Sequence, residues 1–92
     1  MVTIELPRVL CSQQDDKTTV VLPESYATVG DAFAALGEQS PGVVERVIDE
    51  QGEVRRHVNI FVNDESIRFL DGLSTPAPDG STIFVLAAVS GG

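Results

Sequence analysis

Seven consecutive apolar residues, Ile83 to Val89, stand almost at the end of this 92-residue sequence, followed only by Ser90, Gly91 and Gly92. The run is far short of the ~20 residues a membrane span needs. Read as a strand, "STIFVLAAV" is apolar on both sides, with Ile83, Val85 and Ala87 on one and Phe84, Leu86 and Ala88 on the other. A sheet covered on one face only should alternate apolar with polar. The chain must therefore cover one side of this strand and account separately for the other. A second segment shows the same excess in part: Val58, Ile60 and Val62 form one face, His57, Asn59 and Phe61 the other. Val58, Ile60, Val62, Ile83 and Val85 are assigned to the core, which leaves Phe61, Phe84 and Leu86 on the opposite face. An exposed apolar cluster of this kind marks a docking surface; the alternative is that the "DGLSTPAP" loop or a second chain folds over it.

The cover for the first face is legible in the middle of the chain. "VTIEL" alternates as a half-buried strand, "SQQDD" makes a turn, and "TTVVLP" returns as a second strand. The period then changes. Thr28 with Asp31 gives a capping-box-like start, and Val29, Ala32, Phe33 and Leu36 fall on one helical face, with Gly37 as a stop. "SPGVVERVID" predicts a shorter helix, capped by Ser40 with Pro41 in its first turn and Val43, Val44, Val47 and Ile48 inward. "DEQGE" is a charged loop. "VRRHVNIFVNDESIRF" is a strand, a turn at Asn63–Asp64 and a short return, and Asp79–Gly80 is a turn before the last strand. The fold class is α+β: a mixed sheet of four to five strands with one main and one short helix across one face.

Composition narrows function. Fourteen acids against six bases give a net charge of −8, which argues against nucleic acid, whose phosphates require a basic stripe. Acidity instead favours partners with basic surfaces. Cys11 is the only cysteine, so no internal disulfide forms, and a cytoplasmic, membrane-free protein is expected. No autonomous active site emerges. His57 is the only histidine, so a tetrahedral metal site from clustered His and Cys is excluded by count, and no Ser/His/Asp constellation is visible. Arg55, Arg56 and Arg68 read as ordinary surface arginines.

The glycine pair remains. With glycine at about 7 % of average usage, a chance Gly–Gly ending is roughly a 0.5 % event. Two residues without Cβ make a thread able to enter a narrow channel and deliver its carboxylate there. Taken with the strand order, "HVNIFVNDESIRF", "DGLSTPAPDGSTI" and "LAAVSGG", the chain resembles, over essentially its whole length, the ubiquitin-like β-grasp sulfur carriers of the MoaD/ThiS family. It is most similar to the branch that serves cysteine biosynthesis. Two departures are Ala87–Ala88, where the family tail often carries proline, and Ser81, where its turn often reads Asp-Gly-Asp.

The resemblance implies a β-grasp domain over 1–86 and a flexible tail over 87–92. It implies no catalytic residue and no bound cofactor in this chain, ATP being used by an activating enzyme. Gly92 would be adenylated and converted to a thiocarboxylate, with Gly91, Ser90, Val89 and Ala88 threading into partner sites. The implied partners are an adenylating and sulfur-transferring enzyme and a sulfur acceptor such as a PLP-dependent cysteine synthase. A metalloprotease that trims the adduct is a third. The carrier itself is expected to be a monomer. Other branches, such as the small subunit of molybdopterin synthase, would share fold and tail. A ubiquitin-like modifier conjugated through Gly92 is a different class, for which a single lysine, Lys17, offers little scope for self-branching.

Overall fold

The computed structural model describes residues 1–10 and 18–87. The turn expected at 12–16, Cys11, Lys17 and the tail residues 88–92 lie outside them. Within the described residues the order is β1 (Val2–Glu5), a 3-10 turn (Arg8–Leu10), β2 (Thr19–Leu22), α1 (Val29–Gln39), α2 (Pro41–Val47), β3 (Val58–Val62) and β4 (Glu65–Ser66). Two further 3-10 turns (Ile67–Phe69 and Gly72–Ser74) and β5 (Thr82–Ala87) complete it. The five strands form one sheet in the order β2-β1-β5-β3-β4. β1 is antiparallel to β2 and parallel to β5, and β3 is antiparallel to both β5 and β4. The mixed sheet and its two helices match the expected class.

β5 is a central strand, which is why its core side is so apolar. Val2, Ile4, Val58, Ile60, Ile83 and Val85 are all buried on one sheet face. Against them α1 lays Val29, Ala32, Phe33 and Leu36, each at 0 % exposure, as the 3.6-residue spacing requires. Val43 and Val47 of α2 join this core, while Val44 and Ile48 pack at its margin. Thr28 caps α1 as expected: its hydroxyl oxygen accepts from the Asp31 backbone N–H at 3.1 Å.

The boundaries differ from the sequence reading in four places. Gly37 does not stop α1, which runs on to Gln39. The Ser40 N–H closes the last turn on the Leu36 carbonyl at 2.8 Å, and Pro41, which cannot continue the ladder, sets the break. Ser40 precedes α2 but makes no side-chain cap, and Pro41 occupies the first turn as expected. β3 begins only at Val58: Val54 instead bridges Ile48, and His57 sits in the intervening turn. Ala87, assigned to the tail by sequence, is the last residue of β5 and pairs with Val58.

The charged loop is a tight turn. The Asp49 carboxylate accepts from the backbone N–H groups of Gln51 and Glu53 at 2.9 and 3.0 Å, and Gly52 takes a positive φ of 83°. Asn63, at φ 54°, supports the β3–β4 hairpin. Its carboxamide oxygen accepts from the Thr82 N–H at 3.1 Å and its own N–H donates to the Thr82 carbonyl at 2.8 Å. The hairpin is thereby fastened to the start of β5.

Candidate functional site: the open sheet face and the root of the tail

The face of the sheet opposite the helices is where the leftover apolar residues fall. β3 and β5 pair with Phe61 opposite Phe84 and Asn59 opposite Leu86. Side chains directly opposed on one face sit about 5 Å apart at Cβ, so Phe61 and Phe84 form a cross-strand aromatic pair. Phe84 is 39 % and Leu86 53 % exposed, and Phe61 is half-buried, so all three reach this face. On the far side of Phe84, β1 contributes Glu5, with Thr3 opposite Thr82. Val21 of β2, opposite Thr3, adds a fourth exposed apolar side chain that the sequence reading did not single out.

The "DGLSTPAP" loop does not cover this surface. It lies against α1 on the other side of the sheet: the Val29 N–H donates to the Thr75 carbonyl at 2.9 Å, and the Ala77 N–H to the Ala27 carbonyl at 3.3 Å. Thr28 bridges Pro76, and Ala77 is buried. The carbonyl of Leu73 approaches the first turn of α1 so closely that a Cβ on Gly30 would meet it at 3.1 Å. The loop is thus part of the helix layer, and among the described residues the Phe61–Phe84–Leu86 face is open.

The strand that carries the tail is held unequally along its length. Ile83 and Phe84 are flanked by both β1 and β3, and Thr82 by β1 and Asn63. Beyond Glu5 the first strand turns away: the Leu6 N–H donates to the Thr18 carbonyl at 2.6 Å, and Pro7 leads into the 3-10 turn. Val85, Leu86 and Ala87 therefore pair with β3 alone among the described strands. β5 projects past β1 just before the tail begins, with Leu86 on the open face at that projection. Gly92, Gly91, Ser90, Val89 and Ala88 themselves lie outside the described residues.

Around the root, Arg46 donates from Nη1 to the Leu10 carbonyl at 3.2 Å, and Arg55 from Nε to the Glu45 carbonyl at 2.9 Å. These two arginines line a cleft of about 390 Å³ with Val9, His57 and Ala87. Among the described residues no group of three or more His, Cys, Asp or Glu side chains is placed to hold a metal ion. Nor is any helix among the described residues long and apolar enough to cross a membrane. The resolved perturbation of a titrating group is at the other end of the sheet. There the Met1 ammonium hydrogen-bonds the Asp79 carboxylate and, with its positive charge, holds that carboxyl below its ordinary range. The Gly80 N–H donates to the Met1 carbonyl at 2.6 Å, so this contact ties β1 to the turn before β5.

Residues 9–92 match the ThiS family. The chain belongs to that family. Among curated relatives it is 37 % identical to the sulfur carrier protein CysO of Mycobacterium tuberculosis, over 99 % of this chain and 98 % of that protein. It is 41 % identical to small archaeal modifier protein 3 of Haloferax volcanii over 72 % of this chain and 71 % of the other. Among solved structures, the Amycolatopsis orientalis BexX/CysO complex contains a chain that superposes with a TM-score of 0.86 at 32 % identity, covering 100 % of both chains. The fold is accordingly the ubiquitin-like β-grasp of the CysO and archaeal modifier proteins, and the chain is similar to sulfur carriers and small archaeal modifiers.

Proposed function

We propose that this chain is a sulfur carrier protein whose reactive group is the Gly92 carboxylate. The observation that supports the reading most is its similarity to CysO along nearly the full length of both proteins. The family match itself extends through residue 92, across Gly91–Gly92. A carboxylate is a poor acyl donor, because its leaving group would be oxide. An activating enzyme of the ubiquitin type solves this with ATP: a Gly92 oxygen attacks the α-phosphorus, pyrophosphate leaves, and an acyl-adenylate forms. A persulfide sulfur then attacks the acyl carbon and AMP departs. A second thiolate cleaves the resulting acyl disulfide, leaving a Gly92 thiocarboxylate and a disulfide. The thiocarboxylate is a soft nucleophile at neutral pH, and its sulfur travels on a domain that a partner can recognise.

In this reading ATP, PLP and any metal belong to the partners, and the present chain acts as their co-substrate. Phe61, Phe84 and Leu86 supply the docking face, and Ala88 to Gly91 supply the thread. The acceptor is an enzyme of cysteine or related thiolated-metabolite biosynthesis. The test is intact mass spectrometry after incubation with an activating enzyme, ATP and a sulfur source, which should show one oxygen replaced by sulfur. An unchanged mass, with isopeptide adducts on other proteins' lysines instead, overturns it. That second outcome corresponds to the modifier reading, which the similarity to small archaeal modifier proteins favours. The two share the adenylate and part only at the attacking nucleophile, sulfur in one and a lysine amine in the other.

A further inference from the structure

A second surface lies on the helix side of β3. β4 is two residues long and pairs with β3 only at Phe61 and Val62, so the outer edge of β3 is bare of strand from Val58 to Ile60. Arg68 occupies that edge: its Nη2 donates to the carbonyls of Arg56 and Val58, both at 3.1 Å. Beside it a cleft of about 730 Å³ opens between the 52–54 turn and the 3-10 turns after β4. Its floor is apolar (Val58, Ile60, Ile67 and Leu73), and its rim carries Arg56, Arg68 and Glu53.

The state of the arginines is unusual for so acidic a chain. Among the described residues, neither Arg56 nor Arg68 forms an ion pair, although the chain carries fourteen acids. The two Nη2 hydrogens of Arg68 are committed to carbonyls, which fixes the guanidinium while leaving its Nε and Nη1 donors without a partner among the described residues. Arg56 is exposed and makes no side-chain hydrogen bond there. The next residue after Arg68 is Phe69, whose large apolar side chain is 88 % exposed. The cleft also adjoins the tail root, since Val58 in its floor pairs with Ala87.

We propose that this cleft docks a segment of a partner protein in which an apolar side chain sits beside one or two carboxylates. The apolar group covers Val58, Ile60, Ile67 and Leu73, and the carboxylates take the unpartnered donors of Arg68 and Arg56. Arg68, held by its Nη2 bonds, offers single charge-assisted N–H donors from Nε and Nη1, and Arg56, whose side chain makes no hydrogen bond among the described residues, can add a forked pair of parallel N–H groups. Two cations over an apolar floor, on a chain of net charge −8, do not make the continuous basic track that a nucleic acid needs. The partner's chemistry is thus the reverse of what overall charge suggests: a local acidic segment, beneath a surface whose long-range field attracts basic ones. The inference rests on the carrier reading in one respect: an enzyme that receives the tail would meet cleft and tail together, and two weak contacts joined in one partner reinforce each other.

The test uses the full chain, isotopically labelled, titrated with an acetylated Glu-Asp-Ile-Leu-Asp peptide and its Gln-Asn-Ile-Leu-Asn counterpart. Resonances of Val58, Ile60, Ile67 and Leu73 and the Arg68 side chain should move, those of Phe84 and Leu86 should not, and the amide peptide should bind about tenfold more weakly. Arg56→Gln should weaken the acidic peptide by a similar factor with the spectrum otherwise unchanged. This variant is cleaner than Arg68→Gln, which also removes the cap on the β3 edge. Equal binding of both peptides, movement on the Phe84 face, no movement at all, or stronger binding of an oligothymidylate overturns the proposal. Deleting Gly91 and Gly92 should leave peptide binding intact. A chain that binds the peptide but never takes up sulfur would sink the carrier reading alone; one that takes up sulfur but ignores the peptide would sink the cleft alone.

Discussion

Ile83 and Phe84 are chain neighbours in one strand with opposite surroundings. Ile83 is fully buried against α1, whereas Phe84 is 39 % exposed opposite Phe61. Val85 and Leu86 repeat the contrast at 2 % and 53 %. Composition alone does not distinguish the members of either pair, since all four are large and apolar. The difference lies in what the described residues bring to each side: two helices and the 71–80 loop to one, and no element to the other. A core face is set by stability, and its apolar residues need no further explanation. An equally apolar face left open gains far less stability from its side chains and calls for a binding argument as well.

The sharpest way to break the comparison is a pair of substitutions. Ile83→Ala should cost about 3 kcal/mol, through lost burial and the cavity left behind. Phe84→Arg should cost about 1 kcal/mol, chiefly the aromatic pair with Phe61, yet reduce binding to an activating enzyme far more than Ile83→Ala does in the folded fraction. Chemical denaturation and a binding titration on the same two proteins check both halves. Equal destabilisation would show that the open face is also a core.

A smaller effect probes the covered side. Gly37 is interior to α1, and a Cβ there would meet only the side chain of Val44, at an ordinary 3.7 Å. Gly37→Ala should therefore stabilise the domain by about 0.5–1 kcal/mol, measured by denaturant midpoint at constant m-value.

The smallest expected effect concerns Asp79. Its carboxyl titrates below the ordinary 3.8 because the Met1 ammonium bonds and attracts it. A depressed acid contributes stability that is present above its unfolded pKa and lost as pH falls through the folded one. Asp79→Asn should therefore be slightly less stable than the parent above pH 3.8, with the gap closing below it. Acid titrations of both proteins at low ionic strength measure that gap, and an unchanged gap at low pH would separate it from this contact.

Where local rules act alone, the structure was readable from the sequence. The α1 face and its Thr28 cap follow from helical spacing and hydroxyl chemistry within one turn. The same holds for the alternation of Val58, Ile60 and Val62. The Phe61–Phe84–Leu86 face was legible by subtraction, since one sheet side was already filled. What stayed hidden depends on distant neighbours. Gly37 reads as a stop until the Ser40–Pro41 junction is seen to provide one. The extension of β5 to Ala87 depends on where β3 begins, since Val58 is its partner there. The Arg56–Arg68 cleft requires knowing that β4 is too short to cover β3, and the arginines look like plain surface charge until that edge is placed. The glycine pair was the plainest signal in the chain, and it belongs to residues outside those the structure describes.

The position of β5 has a consequence for biosynthesis. Its neighbours are β1, from the beginning of the sequence, and β3, from beyond its middle. Until β5 is available, the sheet is two separate ribbons, β2-β1 and β3-β4, and two-stranded ribbons are marginal in water. Contacts of such long sequence separation form late, once most of the chain is free to pair. A nascent chain lacking its last strand thus stays open to proteolysis and cannot form the Phe61–Phe84–Leu86 face, because Phe84 and Leu86 are part of the missing strand. Molecules that pass this checkpoint are those in which the segment leading into the tail has already been made and fixed in place.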